Sequence, residues 1–195
     1  MQQHLIRQGL AYAGAVTYPL TAQELRDELR IPHPDQDALL TRKIQAATRL
    51  TEERTLRAFV TTSYTWTLDA FPDGDLVTPR SPLIAVASIA YVDENGDSQT
   101  LASSAYTAQT DTLPGRIRLS YNQDWPSTRE QPRAVTVTFT AGEGAAAADV
   151  DEMHRTAIAM LAAELYQQPE ATAAGPQAYS QAYESIVGMM TIPRL

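Results

Sequence analysis

The sequence predicts an α+β protein: a helical hairpin and C-terminal helices, with a small antiparallel β-sheet or barrel inserted between them. Two observations carry this. Apolar residues recur at helical spacing before residue 61 and again after residue 150, whereas from Tyr64 to Ala141 the period switches to alternation. The prolines and glycines of the middle stretch also fall between the alternating runs or at their ends, where a strand tolerates them. The expected organisation is one compact domain with an insertion. Residues 1–16 form an N-terminal arm, 17–61 the helical hairpin, 62–142 the β insertion, and 143–195 the C-terminal helices and tail.

Leu20-Thr21-Ala22-Gln23-Glu24-Leu25 specifies a helix start. Thr21 caps, Glu24 reaches back to the cap, and Leu20 packs on Leu25. Pro32-His33-Pro34 stops this helix, because each proline disfavours helical geometry in the residue before it. Asp35 or Asp37 then opens a longer helix whose buried face is Leu40, Ile44, Ala47 and Thr51, extended by Leu56, Phe59 and Val60.

Tyr64, Trp66 and Leu68 alternate with Thr65, Thr67 and Asp69, the signature of a half-buried strand. Leu83 to Val92 is a second β-prone run, leading into Asp93-Glu94-Asn95-Gly96-Asp97, where Asn-Gly signals a hairpin turn. The returning strand runs through Gln99, Thr100 and Leu101. Arg116 to Leu119 and Ala134 to Phe139 alternate again. Gly142 to Ala148 reads as a small-residue linker, after which Asp149 and Glu152 cap a helix with the apolar stripe Ile158, Leu161, Ala162 and Leu165. Pro169 closes it. Residues 171–176 form a connection to a last amphipathic helix carrying Tyr179, Tyr183, Ile186, Val187 and Met190.

Composition narrows the function. The 195 residues suffice for a real core, and 44% hydrophobic with 19% charged residues is a globular balance. No apolar run approaches the roughly 20 residues of a membrane helix, so a soluble protein without membrane partners is expected. Met1 to Val16 lacks the pattern of a secretory signal and reads as an uncleaved arm. With no cysteine there is no disulfide, thiol nucleophile or cysteine-ligated zinc. A net charge of −8 opposes tight DNA binding, which needs clustered cations. The local run Arg42, Lys43, Arg49, Arg54 and Arg57 is interrupted by Glu52 and Glu53 and reads as a solvated helix face.

No catalytic constellation emerges, and no cofactor is expected. His4, His33 and His154 lack metal-ligand spacing, and no Gly-x-Ser-x-Gly elbow or glycine-rich phosphate loop is present. Asp93, Glu94 and Asp97 read as a hairpin tip, since the ligand spacing and terminal glutamate of a calcium loop are missing. Asp69, Asp73 and Asp75 around Gly74 read as turn chemistry.

Trp66 to Pro72, Pro79 to Leu83, Ser88 to Tyr91, Gln99-Thr100-Leu101, Pro114 to Ile117 and Trp125-Pro126 together resemble the head-tail connector, or adaptor, family of tailed phages and related gene transfer agents. Leu20 to Ile31 and the stretch from Ile44 to Arg57 resemble that family's helices. The family's usual Thr-Gly-Arg at the end of the second helix stands here as Thr55-Leu56-Arg57, so a different local turn is expected. The resemblance implies a non-enzymatic virion protein, assembled in the bacterial cytoplasm and placed in the neck. It would form a homo-oligomeric, dodecameric ring between the portal protein and a tail-side connector or stopper protein, with DNA passing through without tight binding. It also places Tyr179, Tyr183, Ile186, Val187, Met190, Ile192, Arg194 and Leu195 at the portal interface, although the helical pattern alone fits packing on the preceding helix equally well. The rival reading is an aromatic-platform binding module, such as a carbohydrate-binding domain, built on Tyr64, Trp66, Tyr91 and Trp125.

Overall fold

The computed structural model describes residues 9–13, 16–167 and 179–193. The chain divides into two compact units, one formed by Thr61–Gly142 with the strand Leu10–Tyr12, the other by Thr17–Val60 with the segment from Glu143 onward. The architecture is α+β with open antiparallel sheets, and the described residues form no closed barrel.

In the helical unit, α1 (Ala22–Glu28) begins with the reciprocal cap its sequence specifies. The Glu24 amide donates to Thr21 Oγ1 at 3.2 Å, and the Thr21 amide donates to the Glu24 carboxylate at 2.7 Å. A 3₁₀ turn at Pro34–Gln36 leads into α2 (Asp37–Thr55). Asp37 opens α2 without capping it; its carboxylate accepts from Arg26 of α1 at 2.9 and 3.0 Å, tying the two helices together. Leu40, Ile44, Ala47 and Thr51 are buried as the 3.6-residue period requires. The helix stops at Leu56, whose backbone turns left-handed (φ 60°, ψ 22°).

The second segment enters through a 3₁₀ turn at Ala147–Asp149 and continues as α3 (Glu152–Gln167) and α4 (Gln181–Met190). Asp149 caps this turn by accepting from the Ala146 amide (2.8 Å), and Asp151 accepts from the Met153 amide (2.8 Å) at the start of α3. The expected Asp149–Glu152 cap is therefore displaced by two residues, because the 3₁₀ turn intervenes. Ile158, Leu161 and Ala162 of α3 join Leu25, Leu40, Ile44, Ala47, Phe59 and Val60 in one core. Pro169 and residues 171–176 lie outside the described residues.

The β unit contains a five-stranded antiparallel sheet of order β1-β2-β8-β4-β5, from β1 (Leu10–Tyr12), β2 (Thr62–Leu68), β4 (Leu83–Val92), β5 (Ser98–Thr100) and β8 (Val135–Ala141). A three-stranded sheet, β3-β7-β6, is built from β3 (Leu76–Val77), β6 (Tyr106–Gln109) and β7 (Arg116–Leu119). Register aligns the apolar alternates across strands: Tyr64 opposite Phe139 opposite Val86, and Trp66 opposite Val137 opposite Ile89. A slip of one residue would turn each of these sets to the other face. Two register shifts in β4, between Leu83 and Ala85 and between Val86 and Ser88, break its alternation and leave Ile84 exposed.

The hairpin tip closes as Asn-Gly predicts. Asp93 N–H donates to the Asp97 carbonyl (3.0 Å), and the Gly96 N–H donates to the Asp93 carbonyl (2.9 Å) with Gly96 at φ 94°. Part of the segment read as an arm is strand β1; three residues are too few to display an alternation. The same reason hides β3, and the sequence reading also missed β6.

Candidate functional site

The sequence singles out the C-terminal helix, which polar contacts tie to the end of α2. Ser180 caps α4 by accepting from the Tyr183 amide. Tyr183, Val187 and Met190 then recur three or four residues apart on one face, and Ile192 follows just beyond the helix. All four are buried in the unit's own structure, between 0% and 3% exposed, while Tyr179 and Ile186 pack half-buried at the edge. In this structure the stripe packs within its own unit. A ten-residue helix is too short to persist alone in water, so burial of these side chains holds it. Arg194 and Leu195 lie outside the described residues.

Polar contacts fix the helix against the end of α2. Tyr183 Oη lies 3.0 Å from Thr51 Oγ1. Arg54 donates to both carboxylate oxygens of Glu184 (2.9 and 2.5 Å), and its guanidinium lies 5.1 Å from the Tyr179 ring centre and 5.4 Å from that of Tyr183. Arg54 holds the Glu184 carboxyl below the usual range through these hydrogen bonds, and Glu184 raises the Arg54 guanidinium in return. Burial pushes the Tyr183 phenol up, against the opposing effect of its Thr51 and Arg54 neighbours.

The chain beyond α4 is held by backbone. Ile192 N–H donates to the Thr55 carbonyl (3.1 Å), satisfying an end group of α2, and Arg57 Nε donates to the Met190 carbonyl (2.8 Å). Arg57 also lies 3.5 Å from Glu143, whose carboxylate meets His154 Nδ1 at 2.8 Å. Reading Arg54 and Arg57 as part of a solvated face is thereby corrected. Their partners lie 130 and 133 residues away, which no local pattern reveals. Arg42 and Arg49 are exposed, as expected.

What faces outward on α4 is Gln181, Ala182, Glu184, Ser185, Gly188 and Met189, the last 69% exposed. Thr191 and Pro193 are exposed beside the buried Ile192.

The proposed aromatic platform does not form. Tyr64 and Trp66 are 1% and 2% exposed and line the interior of the sheet. Tyr91 and Trp125 instead meet Phe71, which stacks on Trp125 (centroids 4.8 Å apart, planes 7° apart) and meets Tyr91 edge-on at 5.9 Å. Trp125 Nε1 donates to the Gly74 carbonyl at 2.9 Å. Sequence reasoning missed Phe71, which lies 54 positions before its stacking partner.

The acidic positions have structural partners in several cases. Asp93 accepts from the amides of Asn95 and Asp97 and from the Gln99 side chain, which keeps its carboxyl low; Asp75 pairs with Arg118; Asp69 accepts from the Arg133 amide. Among the described residues there is no cluster of three or more potential metal ligands, and no helix is long and apolar enough to cross a membrane.

No family model matches this chain, and no curated protein does. Solved structures do. The chain is similar to a protein in the neck of an empty gene transfer agent (GTA) particle computed with C6 symmetry, at 24% identity and a TM-score of 0.80, covering 95% of this chain and 96% of that one. It is similar at 23% identity and a TM-score of 0.78 to a chain in the virion of a native GTA particle, and at 24% and 0.76 to one in the neck of a native GTA particle computed with C12 symmetry. Each covers 95% of this chain and 96% of the other. These likenesses establish a shared fold across nearly the whole chain.

Proposed function

We propose that this protein is a non-enzymatic structural component of the neck of a tailed phage or gene transfer agent particle. Twelve copies form a ring as an adaptor between the portal protein and a tail-side connector or stopper, and DNA passes through the lumen. The observation that carries this reading is the likeness over 95% of the chain to proteins in GTA particle necks computed with C6 and C12 symmetry. A lookalike of one unit alone would carry less, because sheets and helical bundles recur under many functions.

Physical considerations support the same reading. A closed ring joins two different surfaces of each subunit head to tail. A net charge of −8 suits a conduit, since strong phosphate binding would retard the passing DNA. In this proposal the buried stripe of Tyr183, Val187, Met190 and Ile192 is the internal anchor of the C-terminal clamp, with Tyr179 and Ile186 at its edge. Portal contact then falls on outward residues such as Met189 and Pro193 and on Arg194 and Leu195 beyond them.

Cryo-electron microscopy of particles from cells producing a tagged chain tests the assignment. Tag density in a twelve-fold ring between head and tail is expected. A location outside the neck, or an open arrangement, overturns it. For the clamp, Met189→Glu combined with removal of Arg194 and Leu195 leaves the buried stripe intact. Portal binding should weaken by about tenfold or more, the scale of an interface hot spot. Unchanged affinity in this folded variant removes the clamp from the proposal.

A further inference from the structure

The β unit carries an open hollow of about 410 Å³ whose lining includes Phe71, Pro72, Asp73, Asp124, Trp125 and Pro126. We propose that this hollow is a docking site for an arginine-bearing loop of a partner protein.

The argument starts from the two carboxylates. Asp73 and Asp124 are exposed at the hollow, and neither is hydrogen-bonded through its side chain or ion-paired to a described residue. Nearby acids are engaged otherwise: Asp75 with Arg118, and Asp69 with the Arg133 amide. No basic side chain lines the hollow, so its negative charge is not neutralised from within. A cationic occupant is complementary to it.

The aromatic wall selects among cations. Phe71 and Trp125 lie parallel with centroids 4.8 Å apart, forming a stacked pair. The only hydrogen-bond donor of the Trp125 ring is committed to the Gly74 carbonyl, so what the indole can offer a ligand is the apolar face that Phe71 does not cover. That face favours a guanidinium, which is planar, weakly hydrated and able to stack on an aromatic ring while donating two parallel N–H groups to a carboxylate. An ammonium gains the charge term but less of the stacking, and a neutral sugar can donate hydroxyls to the carboxylates but leaves their charge uncompensated. Pro72 and Pro126 stiffen the backbone on two sides, which lowers the ordering cost of binding.

Binding of an arginine peptide follows from the chemistry of the hollow alone. Placing the partner among the adjoining proteins of a particle rests on the neck reading.

The test uses the full chain and the peptide acetyl-Gly-Arg-Gly-Arg-Gly-amide, with a citrulline counterpart that keeps the shape and loses the charge. The chain has two tryptophans, and Trp66 is 2% exposed, so the NMR shift of the Trp125 indole N–H reports the hollow. The arginine peptide should shift that resonance saturably, more weakly as salt is raised. The citrulline peptide should bind at least about tenfold more weakly, the effect of one hot-spot contact. The variant D73N/D124N, altered only at exposed side chains, should lose a comparable factor for the arginine peptide. Equal binding of both peptides, an undiminished response in D73N/D124N, no response at millimolar arginine peptide, or a shift produced only by neutral oligosaccharides each overturns the proposal. Incorporation of the variant into particles separates the two readings. A failed peptide titration with normal neck incorporation removes the docking site alone, and a successful titration with no neck location removes the neck assignment alone.

Discussion

The phenolic oxygen of Tyr183 lies 3.0 Å from Thr51 Oγ1, and both residues are fully buried although 132 positions separate them. Thr51 also donates to the Ala47 carbonyl at 2.8 Å, so its hydroxyl serves as acceptor for the tyrosine. This contact fastens the last described helix to the second.

Tyr183→Phe removes one buried hydrogen bond while keeping the ring, and should cost about 0.5–1.5 kcal/mol. Tyr183→Ala also removes the ring and leaves a cavity, for about 3–5 kcal/mol by analogy with other aromatic truncations. Urea unfolding followed by circular dichroism at the helical minimum separates the two. Equal losses would mean that the hydroxyl, not the ring, holds the helix.

Leu56 sits at φ 60° and ψ 22°, a conformation that costs a residue with a Cβ about 1–2 kcal/mol. The resembling family's usual glycine at this place makes a different turn the natural expectation for leucine. Leu56 adopts the left-handed conformation and bears the strain. Leu56→Gly relieves it but loosens the unfolded chain by about 0.5–1 kcal/mol, so a net gain of up to about 1 kcal/mol is expected. Leu56→Val should destabilise, since β-branched residues tolerate this region least. Thermal melts of the three proteins check the order; a Gly variant less stable than Leu would show that Leu56 contributes more through packing than it loses to strain.

Glu184 is held below its ordinary pKa by hydrogen bonds from Arg54, so the folded state favours its ionised form. Its contribution to stability is fully present above the unfolded value near 4.5 and is lost as the pH falls through the depressed folded value. Because the pair is largely solvated, the effect should stay below about 1 kcal/mol. The stability difference between the wild-type protein and Glu184→Gln should therefore shrink as the pH falls below 4.5. A difference constant from neutrality to strong acid would contradict the pairing.

Excising residues 61–142 should leave a folded helical unit. The ends to be joined already meet: the Glu143 amide donates to the Phe59 carbonyl at 2.9 Å, and Val60 bridges Gly144. With a short Gly-Ser linker in place, helical circular dichroism and a cooperative melt are expected, together with loss of tail joining. A chain lacking a cooperative melt would show that the helices depend on the strands, and full infectious particles would rule out a contact role for the excised unit.

Where a feature depends on neighbours in sequence, it is legible there. The Thr21–Glu24 cap, the buried face of α2, the alternation of Tyr64, Trp66 and Leu68 and the Asn95-Gly96 hairpin all form as their local chemistry requires. β1 and β3 escape because two or three residues cannot display a period. The bulges of β4 escape because they arise from its pairing with β8.

The sequence by itself determined the α+β class, the order of the long elements and which faces of them are apolar, since periodicity and capping are encoded within a few residues of each position. Only the tertiary structure decided what those faces meet. It sent the α4 stripe into its own unit, paired Arg54 with Glu184, buried Tyr64 and Trp66, and brought Phe71 onto Trp125. An apolar or charged side chain specifies that it needs a partner, and chain folding across tens of residues supplies which one.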